Sequence, residues 1–307
     1  MNWSGKRYHS LNYHLREKFG EKVMKISLDG GFSCPNRDGT ISDQGCVFCS
    51  ERGSGDFAGT RRLSLTDQFG EVRDIMARKW SSGKYIAYFQ AFTNTYDTPE
   101  NLKAKYDEAV ALSGVVGLAI ATRPDCLDEA RVKLIAEYAK KYYVWIELGL
   151  QTSNDDTGRL INRGYDRIVY EQAMALLKKY NIESVTHIIF GLPGETQEDM
   201  LNTVKYVKDL GSNGVKFHLL YVIRSTPLEK LYEAGQLTFL TKEEYIDLIC
   251  RAIGQLDPDT IVHRVTGDSP RDLLIGPLWS LNKWEILNEI DQELAARDIS
   301  QGSLRCE

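Results

Sequence analysis

The chain has 307 residues and a mass of 34.8 kDa, which fits one barrel-sized domain or a core of roughly 200–250 residues with an appendage. Hydrophobic residues make up 42% and charged residues 26%, and these ordinary globular values exclude disorder, collagen and coiled coil. A net charge of −5 argues against a surface that is basic all over, although a local basic patch for nucleic acid remains compatible with it. No apolar run approaches the roughly 20 residues that cross a bilayer, and the first residues lack the apolar segment of a secretory signal. We therefore expect a cytoplasmic protein without a membrane partner.

From residue 22 to about 235, short apolar segments alternate with amphipathic ones. Strand character is found at 23–28, 85–89, 115–121, 143–150, 184–190 and 215–222. Helical periodicity is found near 66–80, 99–112, 127–141, 166–180, 196–210 and 227–234. This repetition predicts a parallel sheet wound in one hand. Six units are two short of a full barrel, so we predict an α/β fold, a partial (β/α)6 TIM-like barrel. An open doubly wound sheet would give the same pattern.

After residue 236 the pattern changes. A helix is predicted near 241–256, where Thr241 and Glu244 form a capping box at its start. A short strand-like run at 260–265 precedes a loop rich in Gly, Pro and Asp at 267–277, and a last helix covers 282–297. We predict a core domain over residues 1–235 and a small C-terminal α/β extension over 236–307 that caps the barrel.

Three of the six cysteines, Cys34, Cys46 and Cys49, follow the first predicted strand with the spacing C-x11-C-x2-C. Loops at this end of a barrel strand carry the catalytic groups of barrel enzymes. Clustered thiols in a chain without an export signal favour metal ligands over disulfides. Three thiolates suit a four-iron cluster with one iron left open for a small molecule. The alternative is a zinc knuckle completed by His or Asp, in a non-catalytic zinc-binding interaction protein.

The sequence resembles the radical S-adenosylmethionine (radical SAM) superfamily, and specifically its YhcC/YtqA-type branch. This branch is distantly similar to the Elongator catalytic subunit and to the coproporphyrinogen dehydrogenases. The resemblance is carried by residues 30–40, 89–95, 121–125, 147–152, 187–195 and 264–274. The superfamily's commonest spacing has x3 where this chain has x11, and the branch shares the longer loop. The resemblance implies that Cys34, Cys46 and Cys49 hold a 4Fe-4S cluster whose fourth iron binds S-adenosyl-L-methionine (SAM).

The resemblance also implies contacts with SAM along the later strands. Gln90 and Asn94 take the place of a Gly-Gly-Glu motif, and Arg123 is a candidate clamp for the SAM carboxylate. The other candidates are Glu147 and Gln151 for the ribose and amino-acid part, and Gly191 and Val222 for backbone contacts beside the adenine. A glutamate within a buried strand needs a partner, so an internal ion pair with Arg or Lys is the alternative role of Glu147. Lys216 and His218 share one face of their strand, which either lines the lumen or faces outward.

For the substrate, the resemblance implies a tRNA wobble uridine, whose 5-carboxymethylaminomethyl group is converted to aminomethyl. We expect a 5′-deoxyadenosyl radical to abstract hydrogen from the carboxymethyl carbon, with Arg264 or Arg271 holding the carboxylate. An electron donor such as flavodoxin or ferredoxin is expected as a further partner. A small-molecule or porphyrin-like substrate is the alternative, mildly favoured by the pI of about 5.7.

Overall fold

The structure, a computed structural model, describes residues 3–53, 55–78 and 83–305. Within these residues, seven strands form one parallel sheet in the order β1-β2-β3-β4-β5-β6-β8. Their bounds are β1 Val23–Leu28, β2 Lys84–Phe89, β3 Val115–Thr122, β4 Tyr143–Gln151, β5 Glu183–Phe190, β6 Gly214–Leu219 and β8 Ile261–Arg264. Two short strands, β7 Val222–Ile223 and β9 Leu274–Gly276, pair antiparallel as a separate ribbon.

Helices connect and cover the strands, and their starts follow the capping signals in the sequence. Thr98 caps a helix with Pro99 in its first turn, and Thr196 and Thr241 each open a helix with a complete capping box. None of the helices in the described ranges is long and apolar enough to cross a membrane. The helices are α1 Leu11–Phe19, α2 Leu65–Ala77, α3 Pro99–Val110, α4 Glu129–Ala139, α5 Asp155–Leu160, α6 Arg167–Lys179, α7 Gln197–Asp209, α8 Pro227–Glu233, α9 Lys242–Gln255 and α10 Lys283–Ala296.

The predicted partial α/β barrel is confirmed, with one strand more than the six predicted units. Residues 261–264, expected as a short run in the extension, pair with β6 and complete the sheet. Residues 215–222 were expected as one strand, but β6 ends at Leu219, where the N–H of Leu220 bonds to the carbonyl of Phe190. The chain then turns so that β7 can pair with β9. The boundary at residue 235 stays a prediction, although β8 lies beyond it and belongs to the main sheet.

Alternation along the strands separates two apolar regions. Residues on the outer face pack under the helices, as Leu118 and Ile146 do. On the inner face, Ala119 and Trp145 form a smaller cluster into which α1 inserts Leu11. Because α1 closes this end of the lumen, the barrel opens at the carboxyl ends of the parallel strands.

Candidate active site

One cavity of about 480 Å³ occupies the open end of the barrel. Inward-facing residues at the carboxyl ends of the strands form its floor, and the loop after β1 forms one wall. Of the predicted site residues, it is lined by Cys34, Cys46, Cys49, Gln90, Arg123, Glu147, Gln151 and Arg264. Together with the other lining residues, they come from all seven strands of the parallel sheet and from the cysteine loop.

Four predicted site residues do not line this cavity. Asn94 is buried, and its amide donates to the carbonyl of Ala121 at 2.8 Å, which ties the segment after β2 to β3. Gly191 makes the turn after β5 with φ of +89°, Val222 is buried in β7, and Arg271 is exposed. The cofactor and substrate roles of these four residues stay predictions.

The cysteine loop is held against the segment that follows α5. The amide of Asn36 donates to the carbonyl of Asn162 at 2.6 Å and lies 3.6 Å from the sulfur of Cys46. Asn162 in turn donates to the carbonyl of Gly45 at 2.7 Å. These contacts fix the loop although it has no regular secondary structure.

Thiol chemistry is tuned within this loop. A hydrogen bond from Cys49 and the nearby Arg123 guanidinium outweigh burial and lower the pKa of Cys46 to about 7. The Arg37 guanidinium donates to the carbonyl of Cys49 at 3.0 Å and lies 6.0 Å from the ring centre of Phe92. The loop therefore favours a thiolate at Cys46 near neutral pH.

The donor set fits the cluster and SAM that the sequence implies. Three free thiols line one cavity wall, and in a four-iron cluster each thiolate binds a different iron atom. No three His, Cys, Asp or Glu side chains converge on a single-ion site in the ranges that the structure describes. Gln151 faces the same cavity, and its buried Oε1 has no hydrogen-bond partner within the described protein. An unpaired buried acceptor suits an amino or hydroxyl group of SAM.

Glu147 lies at the centre of a buried polar cluster on the lumen side of the sheet. Its Oε2 accepts hydrogen bonds from Tyr88 at 2.7 Å, His187 at 2.8 Å and Lys216 at 2.7 Å. Its Oε1 accepts from the indole of Trp145 at 3.1 Å. The structure therefore shows the internal ion pair that was the alternative for Glu147, and its ribose contact stays a prediction. The structure also shows that Lys216 faces the lumen and not the outside of the barrel.

The charges of this cluster are strongly coupled. Burial would raise the pKa of Glu147, but Lys216, Lys25 and a hydrogen bond from His187 hold it well below its usual value. Burial, with Lys25 and Arg264 nearby, lowers the pKa of Lys216 to about 7, and burial lowers the pKa of His187 to about 4. At neutral pH the cluster thus holds an ionised glutamate and a neutral imidazole.

Arg163 and Tyr165 were not expected from the sequence, yet they shape the end of β4. The buried guanidinium of Arg163 donates to the carbonyls of Leu150 at 2.8 Å and Thr152 at 2.6 Å. The guanidinium groups of Arg123 and Arg163 each lie 4.9 Å from the ring centre of Tyr165. An arginine in a segment without regular structure gives no signal for this role in the sequence.

Arg123, the predicted carboxylate clamp, is engaged inside the protein. Its guanidinium makes two hydrogen bonds to Asp125, at 2.9 and 2.7 Å, and a third to the carbonyl of Arg163 at 2.9 Å. It lines the cavity beside Cys46, so it adds positive potential there. Its role as a clamp for SAM stays a prediction.

Lys25 also lines the cavity, and no role was assigned to it from the sequence. The signal was available, because Lys25 interrupts the apolar strand 23–28 as Glu147 interrupts β4. Charged residues at alternate positions of buried strands indicate partners across the lumen. The identity of the partner depends on sheet order and register, which the strand pattern alone does not give.

Comparison with known proteins agrees with this geometry. The Radical SAM superfamily model matches residues 38–207, and the Radical_SAM C-terminal domain model matches residues 212–296. YtqA of Bacillus subtilis is 52% identical over 97% of this chain and 92% of its own length. A tRNA uridine(34) acetyltransferase of Dehalococcoides mccartyi is 27% identical over 80% of this chain and 55% of its own length. Among solved structures, archaeal Elp3 of Methanocaldococcus infernus covers 91% of this chain and 64% of its own chain, with a TM-score of 0.69 at 16% identity, which shows the shared fold.

The zinc-knuckle alternative finds no support in these matches. The family uses a 4Fe-4S cluster and SAM, which are the groups that fit the thiols and the unpaired amide of this cavity. The chain belongs to the radical SAM superfamily and is a radical SAM enzyme.

Proposed function

We propose that this enzyme acts on the wobble uridine of tRNA and converts its 5-carboxymethylaminomethyl group to aminomethyl. The observation that carries the proposal is the cavity itself, in which the cysteine wall and the cations Lys25 and Arg264 share one space. A cationic floor suits the carboxylate that distinguishes this modification. The relative named a tRNA uridine(34) acetyltransferase supports a tRNA substrate.

The proposed chemistry uses one carbon of the substrate. Cluster and SAM, when bound, supply a 5′-deoxyadenosyl radical, which abstracts hydrogen from the carboxymethyl CH₂. Nitrogen and carboxylate both stabilise the carbon radical that results. The carbon radical then loses one electron to an acceptor such as an oxidised flavodoxin or ferredoxin and its N–H proton to solvent, which leaves an imine. Water hydrolyses the imine to the free amine and glyoxylate.

The protein's own part is to orient the substrate and limit the access of water. Leu219 at the end of β6 and Leu220 directly after it add apolar lining beside the polar floor. Phe48, between the last two cysteines, lines the cavity at the thiol wall and shields it. The enzyme is then cytoplasmic, since the proposed tRNA substrate and the proposed electron donor are both found in the cytoplasm.

A surface beside the cavity supports a nucleic-acid substrate. Phe57 lines the cavity and is 57% exposed, so a base can stack on its ring. Arg52 and Arg62 are exposed on the same segment, and the Arg61 guanidinium lies 5.3 Å from the ring centre of Phe92. We call residues 52–62 the arginine segment. It is a local basic region in a chain whose net charge is −5.

A small-molecule substrate is the second candidate. The cavity volume of about 480 Å³ lies within the range of small-molecule sites. The two candidates differ in what the arginine segment does, because only a tRNA places phosphates on it.

Salt dependence of tRNA binding distinguishes the two. We expect log K for tRNA to fall linearly with log salt, and the double variant Arg52→Ala/Arg62→Ala to reduce the magnitude of that slope by about 1.5. Lys133→Ala/Lys140→Ala, in α4 and directly after its end, removes the same charge from exposed positions on the outside of the barrel and is the matched control. Fluorescence anisotropy at several salt concentrations measures the slope. Equal slopes for all three proteins, or no tRNA binding, would favour the small-molecule substrate.

A further inference from the structure

Two lysines lie around the single carboxylate of Glu147, and an anion bound among them would favour their protonated forms, which burial disfavours by lowering the pKa of both. Lys216 and Lys25 both face this single carboxylate, whose two oxygens already accept four hydrogen bonds. The side chain of Lys216 is 3% exposed and that of Glu147 is fully buried. A buried excess of positive charge is costly unless an anion balances it.

Lys25 is the cation that remains available. The nearest carboxylate oxygen, Oε1 of Glu147, lies 3.7 Å from its ammonium, which is beyond hydrogen-bond distance. The ammonium instead lies 4.6 Å from the ring centre of Tyr88. Lys25 lines the cavity and keeps 23% of its side chain exposed. Among the described residues its ammonium thus has only a long ion pair and a ring contact, so it can donate to a ligand.

Arg264 faces the same part of the cavity from β8. Its only ion pair within the described residues is with Asp268, at 3.8 Å. Both oxygens of Asp268 already accept hydrogen bonds from Lys283, at 2.8 and 2.6 Å. The register of the sheet places Arg264 beside Lys216, so Arg264 adds to the positive charge near Glu147. Its planar guanidinium can hold a carboxylate through two parallel hydrogen bonds.

His218 adds a third polar atom to this side of the lumen. Its Nε2 is buried without a hydrogen-bond partner among the described residues, and the side chain lines the cavity. Its ring centre lies 5.0 Å from that of His187, which is bonded to Glu147. An unpaired buried imidazole nitrogen indicates that a ligand completes the site.

We propose that Lys25, Arg264 and His218 form a carboxylate-binding subsite on the floor of the cavity, held in place by the Glu147 cluster. The ligand is a monocarboxylate, because one guanidinium fork and one ammonium match its size and charge. Resting on the proposed function, the carboxylate is that of the carboxymethylaminomethyl group. Lys25 and Arg264 come from opposite edges of the sheet, so the subsite fixes the carboxymethyl carbon between them. Of the two arginines expected from the sequence, the subsite takes Arg264, because Arg271 is exposed and does not line the cavity.

Kinetics with two tRNAs tests the assignment. One tRNA carries 5-carboxymethylaminomethyluridine, and the other carries 5-methylaminomethyluridine, which lacks the carboxylate. We expect Lys25→Met and Arg264→Met to raise KM for the first tRNA about ten- to hundredfold and to reduce its preference over the second. Lys25→Arg retains the charge and should restore much of the affinity, while Arg271→Met behaves as wild type. Iron content and circular dichroism show that each variant is folded and loaded.

Binding of N-methylglycine gives a readout that does not need tRNA. This amino acid carries the amine, CH₂ and carboxylate of the proposed substrate group. Saturation-transfer NMR should detect saturable binding to wild type and to Arg271→Met, and none to Lys25→Met/Arg264→Met. Loss of binding without any turnover of tRNA would keep the subsite and overturn the proposed function. Turnover of tRNA with unchanged carboxylate preference in the variants, or a loss of SAM binding that accounts for their defect, would overturn the subsite.

Discussion

The thiol wall of the cavity depends on side chains that are not cysteines. Asn36 and Arg37 lie two and three residues after Cys34 and contact Cys46 and the carbonyl of Cys49. Hydrogen bonds and positive charge near thiolates stabilise the ionised form that binds iron. The two residues therefore position the loop and supply part of its electrostatic environment.

Removal of one thiol should abolish the cluster. We expect Cys46→Ala to bind little iron after anaerobic reconstitution and to lose the brown colour, because two thiolates cannot hold the cluster. Cys250→Ala is the matched control, since Cys250 is buried in α9 with its sulfur 4.0 Å from the carbonyl of Ile290. Iron analysis and the visible spectrum give the result. Full iron content in Cys46→Ala would show that this cysteine is not a ligand.

The cluster around Glu147 shows what a single sequence predicts at the residue scale. The charged residues Lys25, Glu147 and Lys216 each lie in an apolar strand, which indicates buried partners. Their mutual pairing could not be predicted, because β1, β4 and β6 meet only through the curvature of the sheet. The thiols were predictable because all three lie in one loop. Arg271 resembled Arg264 in sequence but lies in an exposed turn outside the cavity.

At the scale of elements, the end of β4 carries an unusual backbone. The register with β5 shifts between Gly149 and Gln151, and Gln151 adopts a φ of +65°. A Cβ on Gly149 would lie 2.5 Å from the side-chain nitrogen Nε2 of Gln151. The shift directs Gln151 into the cavity, and Arg163 satisfies the carbonyls that it leaves without a strand partner.

Loss of Arg163 should therefore destabilise the carboxyl end of β4. We expect Arg163→Met to lower the free energy of unfolding by about 3 kcal/mol, because buried carbonyls and Asp155 lose their charged donor. Arg159→Met is the control, since Arg159 is exposed in α5 and should change the free energy by less than about 0.5 kcal/mol. Urea denaturation of both variants measures the difference. Equal stabilities would show that Arg163 does not hold the strand end.

Local signals predicted most elements and failed where pairing is not local. The capping box of Thr241 and Glu244 marked a helix start that the structure confirms. The break between β6 and β7 could not be predicted, because no Gly, Pro, Asn or Asp interrupts residues 215–222 and β9 lies about 50 residues further along the chain. The helix α1 was also missed, since its apolar residues Leu11 and Leu15 are few and its role is to close the lumen.

Over the whole molecule, the two family segments build one cavity. The first segment supplies Cys46, Cys49 and Glu147, and the second supplies Arg264 through β8, while Cys34 lies four residues before the first segment. The parallel order of the sheet followed from the strand–helix repeat and right-handed connections. The position of β8 as the last strand of the sheet could not be predicted, because a strand of four residues in an extension has no periodicity to identify it. The cavity thus depends on residues of the predicted C-terminal extension.

Isotope transfer tests the central claim most directly. Reconstituted enzyme, SAM and a reductant are incubated with tRNA in which the carboxymethyl CH₂ of the modified uridine carries deuterium. The account predicts 5′-deoxyadenosine with one deuterium, formed in equal amount with 5-aminomethyluridine and glyoxylate. Unlabelled 5′-deoxyadenosine formed at the same rate without this tRNA would contradict the proposed substrate.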